Sequence, residues 1–277
     1  MVTPSLEVFR TRLEEKVLFA TLDAPPLNLV GAEMVRDLVS LVQYLQTAGD
    51  EVAVVVFDSA NRHFFSAHVD MLNVPGVRAE AARLGDGCTL GGLYRRISTL
   101  DQVTIASIAG RVRGAGSEFI LACDMRFASR EHALFGQPEV GVGAIPGAGA
   151  AQHLTRLLGR GRALEVLLGS DDYSADLAER YGWVNRALPD EDLGPFVDAL
   201  ARRIARFPLA ALADTKRRVN EITLARVSEL DEDGRLFLQG AQRPEFQARI
   251  KALFEQGLQT DGATEADLGA ALARIAP

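Results

Sequence analysis

The sequence predicts an α/β fold in which strands and helices alternate and the strands are covered on both faces. Three observations carry this. "VAVVVF" (52–57) is a continuous, mostly β-branched run, the pattern of a strand buried on two sides. From 32 to 48 the apolar residues fall at 34, 35, 38, 39, 41, 42 and 45, one face of a helix, and Gly49 stops it. The alternation then returns twice, as helix 89–100 before strand 103–108, and as a helix after Gly116 before strand 125–128.

The other elements follow in order. Leu6–Leu13 and Val17–Leu22 read as neighbouring strands joined at Glu14–Lys16, and "APPLN" (24–28) breaks the chain after them. Beyond about residue 150 strand patterns thin out. Helices fit 149–158, 161–168, 174–181 (Ser174 as N-cap, Gly182 as stop), 191–206, 208–222 (opened by Pro208), 225–240 and 244–257. The expected division is an α/β core over residues 1–205 and a helical region over 206–277. The last stretch, "TDGATEADLGAALARIAP" (260–277), is rich in small residues and reads as a loosely docked tail.

Composition excludes several classes. A formal charge of −7 over 277 residues disfavours a general grip on nucleic acid. No apolar stretch is long enough for a membrane span, and the charged N-terminus does not read as a signal peptide. Cys88 and Cys123 are isolated and read as reduced thiols, and the four histidines lack metal-ligand spacing. The expected location is cytoplasmic, with no metal. "GAIPGAG" (143–149) has a dinucleotide-like glycine spacing, but no strand leads into it and Pro146 interrupts it.

The informative stretch is "GRVRGAGSEFILACDMRFAS" (110–129), with Gly114-Ala115-Gly116, then Glu118, then an apolar run. The first amides of a helix lack internal partners and carry the positive end of its dipole. Small residues let a ligand atom approach them, so this is a candidate anion site. Read alone, Glu118 is equally a carboxylate favoured at a helix N-terminus.

Five segments, in order, resemble the enoyl-CoA hydratase/isomerase (crotonase) superfamily: "LDAPPLN" (22–28), "FFSAHVDM" (64–71), "ASIAGRVRGAGSEFILACDMRFAS" (106–129), "FGQPEVGVGAIPGAG" (135–149) and "SADLAERYGWVNRAL" (174–188). The resemblance spans about residues 5–257. It implies a spiral of β-β-α units with a helical C-terminal trimerisation region, and a homotrimer or hexamer. It also implies an acyl-CoA thioester as partner, with coenzyme A part of the substrate and no other cofactor. By the same resemblance the amides of Ala67 and Ala115 form an oxyanion hole, Glu139 is the main acid/base and Glu118 its partner on water. Paired carboxylates suit adding water across a conjugated double bond, because one can hold the water while the other exchanges a proton. A hydratase is therefore the leading expectation. The alternatives are isomerisation, decarboxylation or carbon–carbon hydrolysis of a polar acyl group, or a non-catalytic binding protein.

The substrate-binding positions carried over by resemblance are His68, Asp70, Arg113, Gly114, Gly147 and Phe254. Three features depart from the family's pattern. His68 stands where glycine is usual, and either faces a polar acyl group or turns away and packs. Arg111 and Arg113 replace residues that are often apolar; Arg113 faces an acidic substrate or makes a structural ion pair. Phe254 matches a position near adenine, but the basic residues that often follow it are missing from "EQGLQTDGA" (255–263). Asp70 and Asp124 match acidic positions and are read as structural.

Overall fold

The β-branched run becomes a strand with a different apolar layer on each face. The computed structural model describes residues 4–85 and 87–275. In chain order the elements are β1 (Phe9–Glu14), β2 (Val17–Leu22), α1 (Ala32–Ala48), β3 (Val54–Ser59), β4 (Phe64–Ser66), α2 (Val74–Ala82), α3 (Leu90–Ser98), β5 (Val103–Ile108), β6 (Arg111–Arg113) and α4 (Gly114–Ala122). Next come β7 (Met125–Ser129), β8 (Leu134–Gly136), α5 (Ala150–Leu158), α6 (Arg160–Gly169), β9 (Asp172–Ser174), α7 (Ala175–Tyr181), β10 (Arg186–Leu188) and α8 (Asp190–Ala205). The C-terminal helices are α9 (Leu209–Thr223), α10 (Val227–Ala241), α11 (Pro244–Glu255), α12 (Ala263–Ala266) and α13 (Leu268–Arg274).

The larger sheet has the order β1-β2-β3-β5-β7-β10, parallel except for the β1–β2 pair. Alternation decides which side each residue joins. On β3, Val55 and Phe57 enter the main core with α1, while Val54 and Val56 enter a second layer beneath α8. On β5, Ala106 and Ile108 go one way and Val103 and Ile105 the other. Helix α8 presents Leu193, Val197, Ala201 and Ala205 to this second layer, a four-residue period matching one helix face.

The smaller sheet, β4-β6-β8-β9, positions the site. Its first three strands are parallel neighbours, with Phe64 opposite Arg111 and Arg113 opposite Gly136. Parallel neighbours end at a common edge, so the residues after Ser66, Arg113 and Gly136 emerge side by side. These are the segments 67–70, 114–118 and 137–139. In open α/β sheets that carboxyl edge is where ligands are held.

The helix expectations stand within a residue or two, including Ser174 capping α7 through Leu177 N and Gly182 ending it at φ 91°. The tail is a correction. Residues 260–275 are not loosely docked: Leu268, Ala271 and Leu272 pack with Leu253 and Leu258, and Glu265 is fully buried. The small residues are what let these last helices lie close against the core.

Candidate active site

The three strand ends open on a cavity of about 510 Å³. One end is a polar rim that includes the exposed Arg78, Asp231 and Arg235. The other end is blind and apolar, closed by Phe246, Ile250, Leu253, Leu258, Leu268 and Leu272. Ala115, Glu118, Glu139, His68 and Val69 line the cavity together.

Two glycines let the segments meet. Gly114 has φ 51°, a left-handed value that turns β6 sharply into α4, and a Cβ there would lie 2.9 Å from Glu139 Oε1. A Cβ on Gly116 would lie 2.7 Å from Ser66, so this glycine allows α4 to pack against β4. Ala115 stands in the first turn, its carbonyl held by the Tyr94 hydroxyl at 3.0 Å.

Glu118 is buried, and its Oε1 accepts from Ala148 N (2.7 Å) and Ala150 N (3.1 Å). The Gly147-Ala148-Gly149 turn before α5 thus fixes the carboxyl group. Burial first, and then the charge of Glu139, hold Glu118 well above the usual carboxylate range against those two amides. Burial also pushes Glu139 up to about 7, with the nearby His68 charge pulling the other way. Glu139 Oε2 is buried with no hydrogen-bond partner. Two such carboxyl groups hold a proton between them near neutral pH, which leaves one as base and one as acid.

Several expected site residues lie elsewhere. The Ala67 amide donates to Leu27 O at 3.1 Å, and Ala67 packs with Leu27 and Phe64 rather than lining the cavity. Val69, two residues on, lines the cavity instead. Val30 N donates to His68 O (2.8 Å) and Asp70 N donates to Val30 O (3.1 Å). The 68–69 peptide is trans, so with its carbonyl on Val30 its N–H points the opposite way.

Arg113 is a structural residue. Its guanidinium makes two 2.6 Å bonds to Asp172 and one of 2.9 Å to Glu265 O, and it does not line the cavity. Asp70 Oδ1 accepts from Gln259 Nε2 (2.9 Å) and Leu72 N (3.0 Å), again outside the cavity. Phe254 packs against the Leu253–Ile275 cluster. Helix α11 turns Phe246, Ile250 and Leu253 to the cavity, and the residue after Leu253 falls about 100° away. Gly147 does line the cavity, packed under Phe237, whereas Gly114 contributes its turn. Asp124 is structural as expected, accepting from Thr104 N (2.7 Å) and Lys216 Nζ (2.7 Å).

His68 lines the cavity but spends both ring nitrogens on the protein, Nδ1 on Val69 O and Nε2 on Glu265 Oε1, each at 2.9 Å. Burial opposes its charge most strongly, yet Glu265 and the Val69 carbonyl together outweigh burial and raise its pKa.

Sequence comparison now decides the family. The enoyl-CoA hydratase/isomerase pattern matches residues 12–259. The chain belongs to that family. The crotonyl-CoA hydratase of Syntrophomonas wolfei is 32% identical over 75% of this chain and 79% of its own. The short-chain-enoyl-CoA hydratase of Clostridium acetobutylicum is 30% identical over 75% and 78%. A solved Streptomyces avermitilis structure, described as a candidate enoyl-CoA hydratase, is 55% identical over the whole of both chains, with a TM-score of 0.97. The α/β architecture is therefore the crotonase fold. Among the described residues no helix is long and apolar enough to cross a membrane.

Val69, Leu258 and the tail's Leu268 and Leu272, which line the cavity, and Glu265, which bonds His68, are the positions sequence reasoning missed. Val69 had a weak signal: it stands between His68 and Asp70 in the segment already singled out. Glu265 had none, because 197 residues separate it from His68.

Proposed function

We propose that this protein is an enoyl-CoA hydratase, adding water across the double bond of a 2-enoyl-CoA thioester. The observation that carries the reading is the buried pair Glu118 and Glu139, meeting in one cavity beside the first-turn amide of Ala115. The amides of Ala115 and Val69 receive the thioester oxygen as it gains charge. Glu118, fixed by Ala148 and Ala150, and Glu139 hold a water over the β-carbon. The ionised carboxylate takes the water's proton as its oxygen bonds to that carbon. The protonated carboxyl delivers a proton to the α-carbon as the enolate collapses. Each such proton transfer contributes roughly 10²- to 10⁴-fold to rate.

The acyl group is apolar. The blind end presents only hydrocarbon, and the two groups that would recognise a polar acyl chain, His68 and Arg113, are engaged by Glu265 and Asp172. The polar rim is left for coenzyme A, and no resident cofactor is required. Exposed Phe207, Val219, Ile222 and Val227 give the C-terminal helices an apolar surface for copies of the same chain, in keeping with a trimer or hexamer. The same reading keeps the protein in the cytoplasm with its thioester substrates.

The test is loss of the conjugated thioester absorbance with crotonyl-, hexenoyl- and decenoyl-CoA. Hydration of all three is expected. Binding of every thioester without turnover would overturn the reading.

A further inference from the structure

We infer that Glu265 is a positioning residue for the carbonyl-binding amides, acting through His68, so that the C-terminal segment belongs to the active site. This rests on the reading of Val69 and Ala115 given above.

The two peptides flanking Val69 carry four polar groups. Three are tied down: His68 O by Val30 N, Asp70 N by Val30 O, and Val69 O by His68 Nδ1. The fourth, Val69 N–H, is turned away from Val30. The His68 ring is thus one of the fixings of the peptide pair that sets this amide's direction, and Glu265 fixes the ring. Both ring nitrogens face acceptors. Glu265 Oε1 also accepts from Gln259 N at 2.8 Å. Burial opposes its charge, but His68, that amide and Arg113 outweigh burial and lower its pKa, so Glu265 is the acceptor. A neutral imidazole has a single N–H, so only the imidazolium makes both bonds.

That cation sits beside the reacting pair. A Cβ on Gly114 would lie 2.9 Å from Glu139 Oε1 and 3.4 Å from the His68 Cβ, so one residue separates the two side chains. The charged groups around His68 are Glu265 from α12, Arg113 from β6 with its partner Asp172 from β9, and Glu139 after β8, with Glu118 behind it. The segment carrying Glu265 is itself held, by Arg113 Nη1 on Glu265 O and Arg111 Nε on Ala266 O, each at 2.9 Å. A buried ion pair is a poor device for stability alone, because desolvation offsets its attraction. Its place here is explained by what it holds.

The experiment uses the full-length protein with crotonyl-CoA. Glu265→Gln keeps the shape but removes the charge: His68 becomes neutral, Glu139 loses a cation, and both limbs of the pH–rate bell move up by about half a pH unit. Glu265→Ala frees the ring and lowers kcat about 10- to 100-fold with KM little changed, since the amides bear chiefly on the developing charge. Structural damage alone would lower the folded fraction and leave the bell in place. The His68 ring signal in NMR should report imidazolium to higher pH in the wild type than in Glu265→Gln, where burial and the Arg113 charge favour the neutral ring. An unmoved bell in Glu265→Gln, or a neutral His68 ring at pH 7 in the wild type, would overturn the inference even if Glu265→Ala fails to fold. A wild type that hydrates no enoyl thioester overturns the functional reading instead, while the NMR titration still reports on the clamp.

Discussion

The two sheets bury opposite kinds of chemistry. Around β3 and β5 the covered residues are mainly valine, isoleucine, phenylalanine and alanine on both faces, with Thr104 the buried polar one. At the ends of β4, β6 and β8 the buried residues include the polar and charged His68, Arg113, Glu118, Gln137 and Glu139. The first region gains free energy by leaving water. The second gives some up, because groups that prefer water are kept dry and close together. Stability and activity should therefore respond in opposite directions to substitutions in the two regions.

The largest effect is expected at Glu139. Glu139→Gln should lower kcat on crotonyl-CoA about 1,000-fold, because the proton exchange is lost. Steady-state kinetics on purified protein measure it. Ile105→Ala, beneath α8, should do the reverse: a loss of about 3 kcal/mol in denaturant unfolding with kcat per folded molecule unchanged. If both substitutions moved stability and rate together, the division between the sheets would be wrong.

A third effect sharpens the contrast. Burial raises the Glu139 pKa to about 7, above its unfolded value of 4.5. A raised carboxyl pKa contributes stability that is present below the unfolded value and lost as pH rises through the folded one. Glu139→Gln should therefore gain on the wild type between about pH 4.5 and 7, reaching on the order of 3 kcal/mol above that window. Thermal unfolding at pH 5 and pH 8 checks the sign. The smallest effect concerns the blind end. Leu272→Trp should reduce kcat/KM for decenoyl-CoA about 10-fold and leave crotonyl-CoA nearly untouched.

The same contrast explains what the sequence revealed. The apolar sheet was legible because burial on both faces writes itself as an unbroken β-branched run, and helix α1 because its face repeats every three to four residues. Strands β4, β6, β8 and β9 are only three residues long and leave no period to read. Glu118 and Glu139 were legible through family resemblance, helped by the glycines that let backbone approach a ligand. That Val69 rather than Ala67 lines the cavity was not legible, because the turn of this segment depends on pairing with Val30, a contact 39 residues away in sequence. The tail was misread because small residues look alike whether they are loose or closely packed. Arg113 and His68 were legible as unusual, but their partners Asp172 and Glu265 lie in other elements.

The most direct measurement is the origin of the new oxygen. Let the protein consume crotonyl-CoA in oxygen-18 water and weigh the product by mass spectrometry. A carboxylate pair that activates water must place one oxygen-18 in each product molecule, and Glu139→Gln must slow its appearance in step with loss of the double bond. Consumption of the substrate without incorporation of solvent oxygen would contradict water activation by Glu118 and Glu139.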